Sequence, residues 1–261
     1  MSTTSAPISE PQPRSADFRR YKGIVWRVVE AQHRISTNRL ASDLDDQALL
    51  ELLVERVKPP LPRAARGLHY LLATPFRYGH SRASRFRGAA ERPGIFYACE
   101  HIATAVAEAA WWRLYFLSRS PGLEPPRTTI EHTAFTVAVN AVRALDLTQP
   151  PFVKAASLWM APDDYAPCQR FASAARSIAT QLIRYSSVRD REHRASVALL
   201  HPAAFAAQTP RIVQSWHFRI EHGRLTAFAA FPGEDRYSFN LQDFSFISQN
   251  FPQAFDTRLD P

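Results

Sequence analysis

A chain of 261 residues, 46% of them hydrophobic, is long enough to bury a substantial core as one large domain or two small ones. Its 32 Lys and Arg against 24 Asp and Glu leave a net charge of +8, which favours polyanionic partners: nucleic acid, acidic proteins or phosphorylated small molecules. Two cysteines argue against a disulfide framework and for a reducing, cytoplasmic setting; no apolar run reaches membrane-spanning length, and Met1 to Ser15 lacks the apolar core of a secretory signal.

Residues 1–18, rich in Ser, Thr and Pro, read as a disordered tail. The remainder, 19–261, reads as a single domain. Gly23 to Val29 is β-branched and apolar, a buried strand, and Arg27 inside it needs a partner or a cleft. His33 to Thr37 is a polar connection. Asp43 or Asp45 then caps a helix over Asp46–Val57, whose Ala48, Leu49, Leu52, Leu53 and Val57 form an apolar stripe. Lys58 before Pro59 ends it. Gly67 to Phe76 is apolar and short, compatible with strand or helix. Arg77 to Arg82 is a basic loop.

The stretch from Ser84 to Glu108 organises the rest. A loop offers Arg85, Arg87 and Arg92; Gly94 to Ala98 is a strand; a helix opens near His101 and runs to Leu117. That helix is apolar on most faces, so it is buried, and Glu108 in its second turn is a carboxylate that must be paired or used. A salt bridge to Arg113 or to a loop arginine is the structural alternative. Arginine forks suit phosphate oxygens, and a lone carboxylate suits a sugar hydroxyl or a developing positive charge.

Ala134 to Val142 reads as a strand. A further helix starts at Pro162–Tyr165 and runs to about Leu182, with Cys168 as a small apolar filler. Arg184, Tyr185, Ser186, Ser187 and Arg189 follow at a junction of elements, a setting for phosphate oxygens or an ordinary polar loop. Ala195–Leu200, Ile212–Ile220 and Arg224–Phe231 are strands, the last two joined by a hairpin at Glu221–Gly223. Phe239 to Pro261 reads as packed irregular structure with a frayed end. No dinucleotide-binding glycine motif, P-loop, EF-hand, zinc-ligand spacing or nucleic-acid recognition motif is present.

Four short motifs stand in order: Arg85-Phe86-Arg87, Gly94-Ile95-Phe96-Tyr97, Thr104-Ala105-Val106-Ala107-Glu108 and Arg184-Tyr185-Ser186-Ser187. Together they resemble the RES-domain family, named for an arginine, a glutamate and a serine, across residues 24–205. The resemblance implies an α+β fold like that of ADP-ribosyltransferases, with mixed and antiparallel sheets flanked by helices. It implies an NAD-degrading toxin of a bacterial toxin–antitoxin pair. NAD is then the substrate rather than a cofactor, and the nicotinamide–ribose bond is cut by hydrolysis or phosphorolysis. By the same resemblance Glu108 hydrogen-bonds the nicotinamide ribose, Tyr97 orients the nicotinamide, and Arg85, Arg87 and Ser187 hold the pyrophosphate. Arg27 is a further contact, with Arg184 and Ser186 as neighbouring binding candidates. Arg87 fits the family's distance to the tyrosine and Arg85 its Arg-aromatic pairing; Ser186 stands where the family often has proline. An Xre-like antitoxin, through which alone DNA is bound, and a homo-oligomer or toxin–antitoxin assembly are the implied partners. ADP-ribosyl transfer to a macromolecule and a non-catalytic basic binding module are the competing readings.

Overall fold

The computed structural model describes residues 10–31, 43–79, 82–119, 128–221 and 224–240. The described part of the expected tail lies against the body: Pro13 is buried, Ser15–Asp17 form a 3-10 turn, and Glu10 pairs with Arg170. The boundary at residue 18 therefore falls too late.

Eight strands form one mixed sheet: β1 (Arg19–Glu30), β2 (Phe96–Cys99), β3 (Ile130–Asp146), β4 (Leu182–Ser186), β5 (Ala195–Leu199), β6 (Arg211–Glu221), β7 (Arg224–Ala229) and β8 (Arg236–Asn240). Their order is β1-β2-β5-β4-β3-β6-β7-β8, and β1 also pairs along β3, from Arg19↔Ala144 to Glu30↔His132. The circuit β1-β2-β5-β4-β3 thus closes on itself, while β6, β7 and β8 extend from the first half of β3 as an antiparallel wing. Among the described strands only β3 with β4 is parallel. The β1–β2 seam is a single bridge, Trp26↔Cys99, so the circuit is thinnest there.

Inside the circuit Val25, Phe96, Phe135, Val137, Val139, Leu182, Val197 and Leu199 form a core capped by α2 (Tyr70–Arg77), which inserts Leu72, Ala73 and Phe76. A second core packs Phe86, Ile183, Tyr185 and Ala198 against α4 (Ala156–Trp159) and α5 (Ala166–Ser177). A third joins α3 (Ile102–Ser118) to the wing through Val106, Ala110, Leu114, Trp216, Phe218 and Leu225. Because α3 meets both circuit and wing, it must be apolar on opposite faces, as its composition requires.

Gly94 sets the approach of the basic loop to β2: a Cβ there would overlap the Pro75 carbonyl oxygen and sit 2.7 Å from that of Tyr78. The short apolar stretch near residue 70 is helical. The helix expected to reach Leu182 ends at Ser177; Ala179 has a left-handed φ of 58°, and Leu182 opens β4. Helix α4 and strand β8 lack sequence counterparts, and β8 takes up Phe239 and Asn240 from the segment expected to be irregular. The helix over 44–57, α1 (Leu44–Val57), is capped by Asp43, whose Oδ1 accepts the Asp46 amide at 2.8 Å. It buries no residue, so its apolar stripe is not the core face the periodicity predicts. The polar connection at His33–Thr37, the Glu221–Gly223 turn beyond Glu221, and the chain after Asn240 lie outside the described residues.

Candidate active site

A cavity of about 860 Å³ opens between β1, β2, the basic loop and α3. Six arginines (Arg27, Arg82, Arg85, Arg87, Arg113 and Arg189) and two glutamates (Glu30 and Glu108) share its wall with Tyr97, Tyr165, Tyr185, Trp111 and Trp112. Such a lining suits an anionic ligand with flat rings.

Glu108 comes from the second turn of α3. Ser187 Oγ donates to Glu108 Oε1 at 2.6 Å and accepts the amides of Arg189 at 3.1 Å and Asp190 at 3.2 Å. One helical turn earlier Thr104 Oγ1 donates to Asp190 Oδ2 at 2.6 Å. Thr104 and Glu108, four residues apart, share a helix face. That face clips the loop after β4 at two points and fixes the carboxylate. Burial raises the Glu108 pKa; the Ser187 hydroxyl, Arg189 and Arg85 offset part of that rise.

Tyr97 points from β2 into the cavity. Its Oη lies 2.8 Å from Ser84 Oγ and accepts the Phe86 amide at 3.1 Å. Burial pushes its pKa up to about 12, so it is a neutral phenol at physiological pH. Arg27, on β1, lies over the Phe96 ring at 4.7 Å, and its buried Nη1 has no hydrogen-bond partner. Burial pulls its pKa down to about 10, so it stays charged at neutral pH. A half-buried cation with a buried, unused donor is suited to an incoming oxyanion.

The two loop arginines differ. Arg85 Nη1 donates to the carbonyls of Trp159 at 2.7 Å and Ala161 at 3.0 Å, and its guanidinium lies over Tyr165 at 4.7 Å. Arg87 is 4% exposed and donates to the carbonyls of Gly88 at 2.7 Å and Arg82. It shapes the loop around itself as well as lining the cavity. Ser187 is fully buried beneath Glu108 and is not a wall residue, nor is Ser186 at the end of β4. Arg184 lies apart from the wall too. Its guanidinium makes a two-point pair with Glu100 at 2.7 and 2.9 Å and reaches Thr148 Oγ1 at 2.7 Å and Asp146 at 3.3 Å. These contacts staple β4 to the ends of β2 and β3. In this geometry Ser187, expected on the pyrophosphate, and Arg184, a neighbouring binding candidate, support the site from behind, and Ser186 stands outside the cavity wall.

Arg189 belongs to the polar junction after Leu182 but was not singled out as a site residue. Its guanidinium stacks on Trp111 at 3.9 Å and donates to Tyr165 Oη at 3.0 Å and the Pro162 carbonyl at 2.9 Å. The signal was its place two residues after Ser187, and for Trp111 its place three residues after Glu108 on the helix. At the far end Arg113 pairs with Glu30 at 3.2 Å, in place of the salt bridge to Glu108 weighed as the structural alternative. Among the described residues no three His, Cys, Asp or Glu side chains converge as metal ligands.

The RES-domain family profile matches residues 60–221. The chain belongs to the RES-domain family. The match covers Tyr97, Glu108, Ser187 and both loop arginines of this RES domain; Arg27 precedes it. No curated protein sequence matches the chain. Among solved structures it aligns with the crystal structure of the M. tuberculosis MbcT-MbcA toxin–antitoxin complex at 14% identity and a TM-score of 0.42, over 76% of this chain and 85% of that one. No described helix of the RES protein is long and apolar enough to cross a membrane.

Proposed function

We propose that this RES protein is an NAD-consuming toxin, restrained by a cognate antitoxin of the Xre type, that cleaves the nicotinamide–ribose bond. The observation carrying the reading is the half-buried Glu108 carboxylate, held by Ser187 in a cavity that also presents the unpartnered Arg27 nitrogen and the Tyr97 ring. NAD carries a pyrophosphate for the arginines and a cationic nicotinamide ring for the aromatic wall.

In the step proposed, the C1′–N1 bond breaks with its electron pair passing to the nicotinamide nitrogen, which leaves neutral. The ribose becomes oxocarbenium-like, and the Glu108 carboxylate stabilises that charge. Water then adds hydroxide to C1′ and releases a proton, or phosphate adds through an oxygen. Tyr97, kept neutral by burial, orients the ring, while Arg27 and Arg85 hold the pyrophosphate. Ser187 acts through Glu108 and not on the substrate.

The test is nicotinamide release from NAD by purified protein, followed by chromatography with and without phosphate, for wild type and Glu108→Gln. Release that vanishes in the variant is expected; a folded wild type that frees no nicotinamide overturns the reading. Label from NAD appearing on a protein or nucleic acid would move it to ADP-ribosyl transfer.

A further inference from the structure

Helix α1 stands out among the described elements because it displays its apolar side. Leu49, Leu52 and Leu53 are about half exposed and Val57 is 82% exposed, while Gln47 and Leu50 turn toward the body. Its lower end is fastened by Glu55, which pairs with Arg77 at 2.6 Å and Lys58 at 2.8 Å. An isolated helix of 14 residues is marginal in water, and three exposed leucines on one side add the cost of hydrated apolar surface. Something must cover that side.

The order of residues along it indicates what. Asp45, Leu49, Leu52 and Arg56 recur at spacings of four, three and four, the seam of a coiled coil, on the side away from Gln47 and Leu50. The seam is acidic at its start and basic at its end. Neither Asp45 nor Arg56 has an ion-pair or hydrogen-bond partner among the described residues. A two-fold axis passing between Leu50 and Glu51 would set Leu49 opposite the partner's Leu52 and Asp45 opposite the partner's Arg56. A single antiparallel register therefore buries the leucines and matches the charges at both ends, as an isologous interface requires.

We propose that α1 is a self-association element, through which two copies of this chain pair antiparallel. No residue of α1 lines the cavity, so the proposal stands apart from the NAD reading.

The test uses the full chain in sedimentation equilibrium over a concentration series, with far-UV circular dichroism as the fold control. Wild type should dimerise, and Leu49→Glu should be monomeric. Asp45→Arg and Arg56→Asp should each weaken the dimer about tenfold, since two symmetry-related pairs of roughly 1 kcal/mol or less are lost. The double variant Asp45→Arg/Arg56→Asp should regain near-wild-type association, because the pairs re-form with reversed sign. A wild type that stays monomeric overturns the proposal. So does a double variant weaker than either single one, or a dimer indifferent to Leu49→Glu. A monomeric chain whose α1 leucines are protected only by an antitoxin would assign the face to that protein instead.

Discussion

At the residue scale the site turns on two half-buried charges with opposite surroundings. Glu108 is held by a hydroxyl rather than by a cation, so burial raises its pKa. Its charged form is therefore disfavoured in the fold relative to the unfolded chain, and folding stability falls as pH rises through the raised value. Glu108→Gln removes that penalty. Its melting temperature should exceed that of wild type at pH 8, with the gap closing in acid where both are neutral, while nicotinamide release drops roughly 10²–10³-fold. Thermal unfolding against pH, beside the turnover assay, checks both halves; a variant less stable at pH 8 would show that the carboxylate is paired for structure. If the ionised carboxylate acts, the acid limb of wild-type turnover should lie above the ordinary carboxylate range. Arg27 is the complementary case, a cation whose Nη1 has no partner. Arg27→Met should leave the free protein as stable as wild type or more so, yet raise KM for NAD at least tenfold, since a charge-assisted hydrogen bond contributes about 1.5–3 kcal/mol. Both residues were legible because each breaks an apolar run: one carboxylate in an alanine-rich helix, one arginine in a β-branched strand. Arg189 was not, because an arginine in a polar loop breaks no pattern. Only the fold reveals that it stacks on Trp111.

At the scale of elements, motifs adjacent in sequence divide into those that meet the substrate cavity and those that hold its walls. Arg184, Tyr185, Ser186 and Ser187 stand together in sequence as a setting for phosphate oxygens or an ordinary polar loop, but strand geometry sends neighbouring side chains to opposite faces. Tyr185 reaches the cavity wall, and Arg184 pairs with Glu100 and Asp146 instead. Those partners lie 84 and 38 residues away in sequence, so no local signal could name them. Removing the arginine leaves two partly buried carboxylates facing each other. Arg184→Met should cost about 2–3 kcal/mol, discounted from a fully buried pair because the groups stay partly exposed, with KM for NAD little changed. Denaturant unfolding and steady-state kinetics together decide it; a KM effect with full stability would return Arg184 to the binding site. The Arg184 pair also lowers the Glu100 pKa. The stability it contributes is present above the unfolded-state value and is lost as pH falls through the folded one, opposite in sign to Glu108. Element boundaries were hardest to read where hydrophobicity runs on unbroken: Phe171, Ala175, Ile178 and Leu182 keep helical spacing across a chain reversal made at Ala179, which no glycine marks. For α1 the period was read correctly and its burial was not, because an apolar stripe states that a face needs covering and not by what.

At the scale of the whole molecule the charge has a destination. Net +8 alone was compatible with nucleic acid, and no recognition motif directed it. The fold gathers six arginines and two glutamates around one cavity, which makes a focusing site for a small anion rather than a broad strip for a polymer. The groups are not equivalent toward salt. Arg85 and Arg87 are tied to backbone carbonyls and Arg113 to Glu30, so the attraction felt by an approaching pyrophosphate comes from the summed field and from Arg27. Outside the cavity that field is screened over about 10 Å at 0.1 M salt and about 3 Å at 1 M; inside it, screening is weaker. KM for NAD should therefore rise steadily with sodium chloride while kcat, set by Glu108 against a substrate already bound, stays nearly flat. Steady-state kinetics across that salt range measures the separation. A kcat that falls in step with kcat/KM would mean that salt loosens the cavity itself, with the thin β1–β2 seam at Trp26 and Cys99 the first place to look, since Arg27 and Tyr97 stand on its two sides.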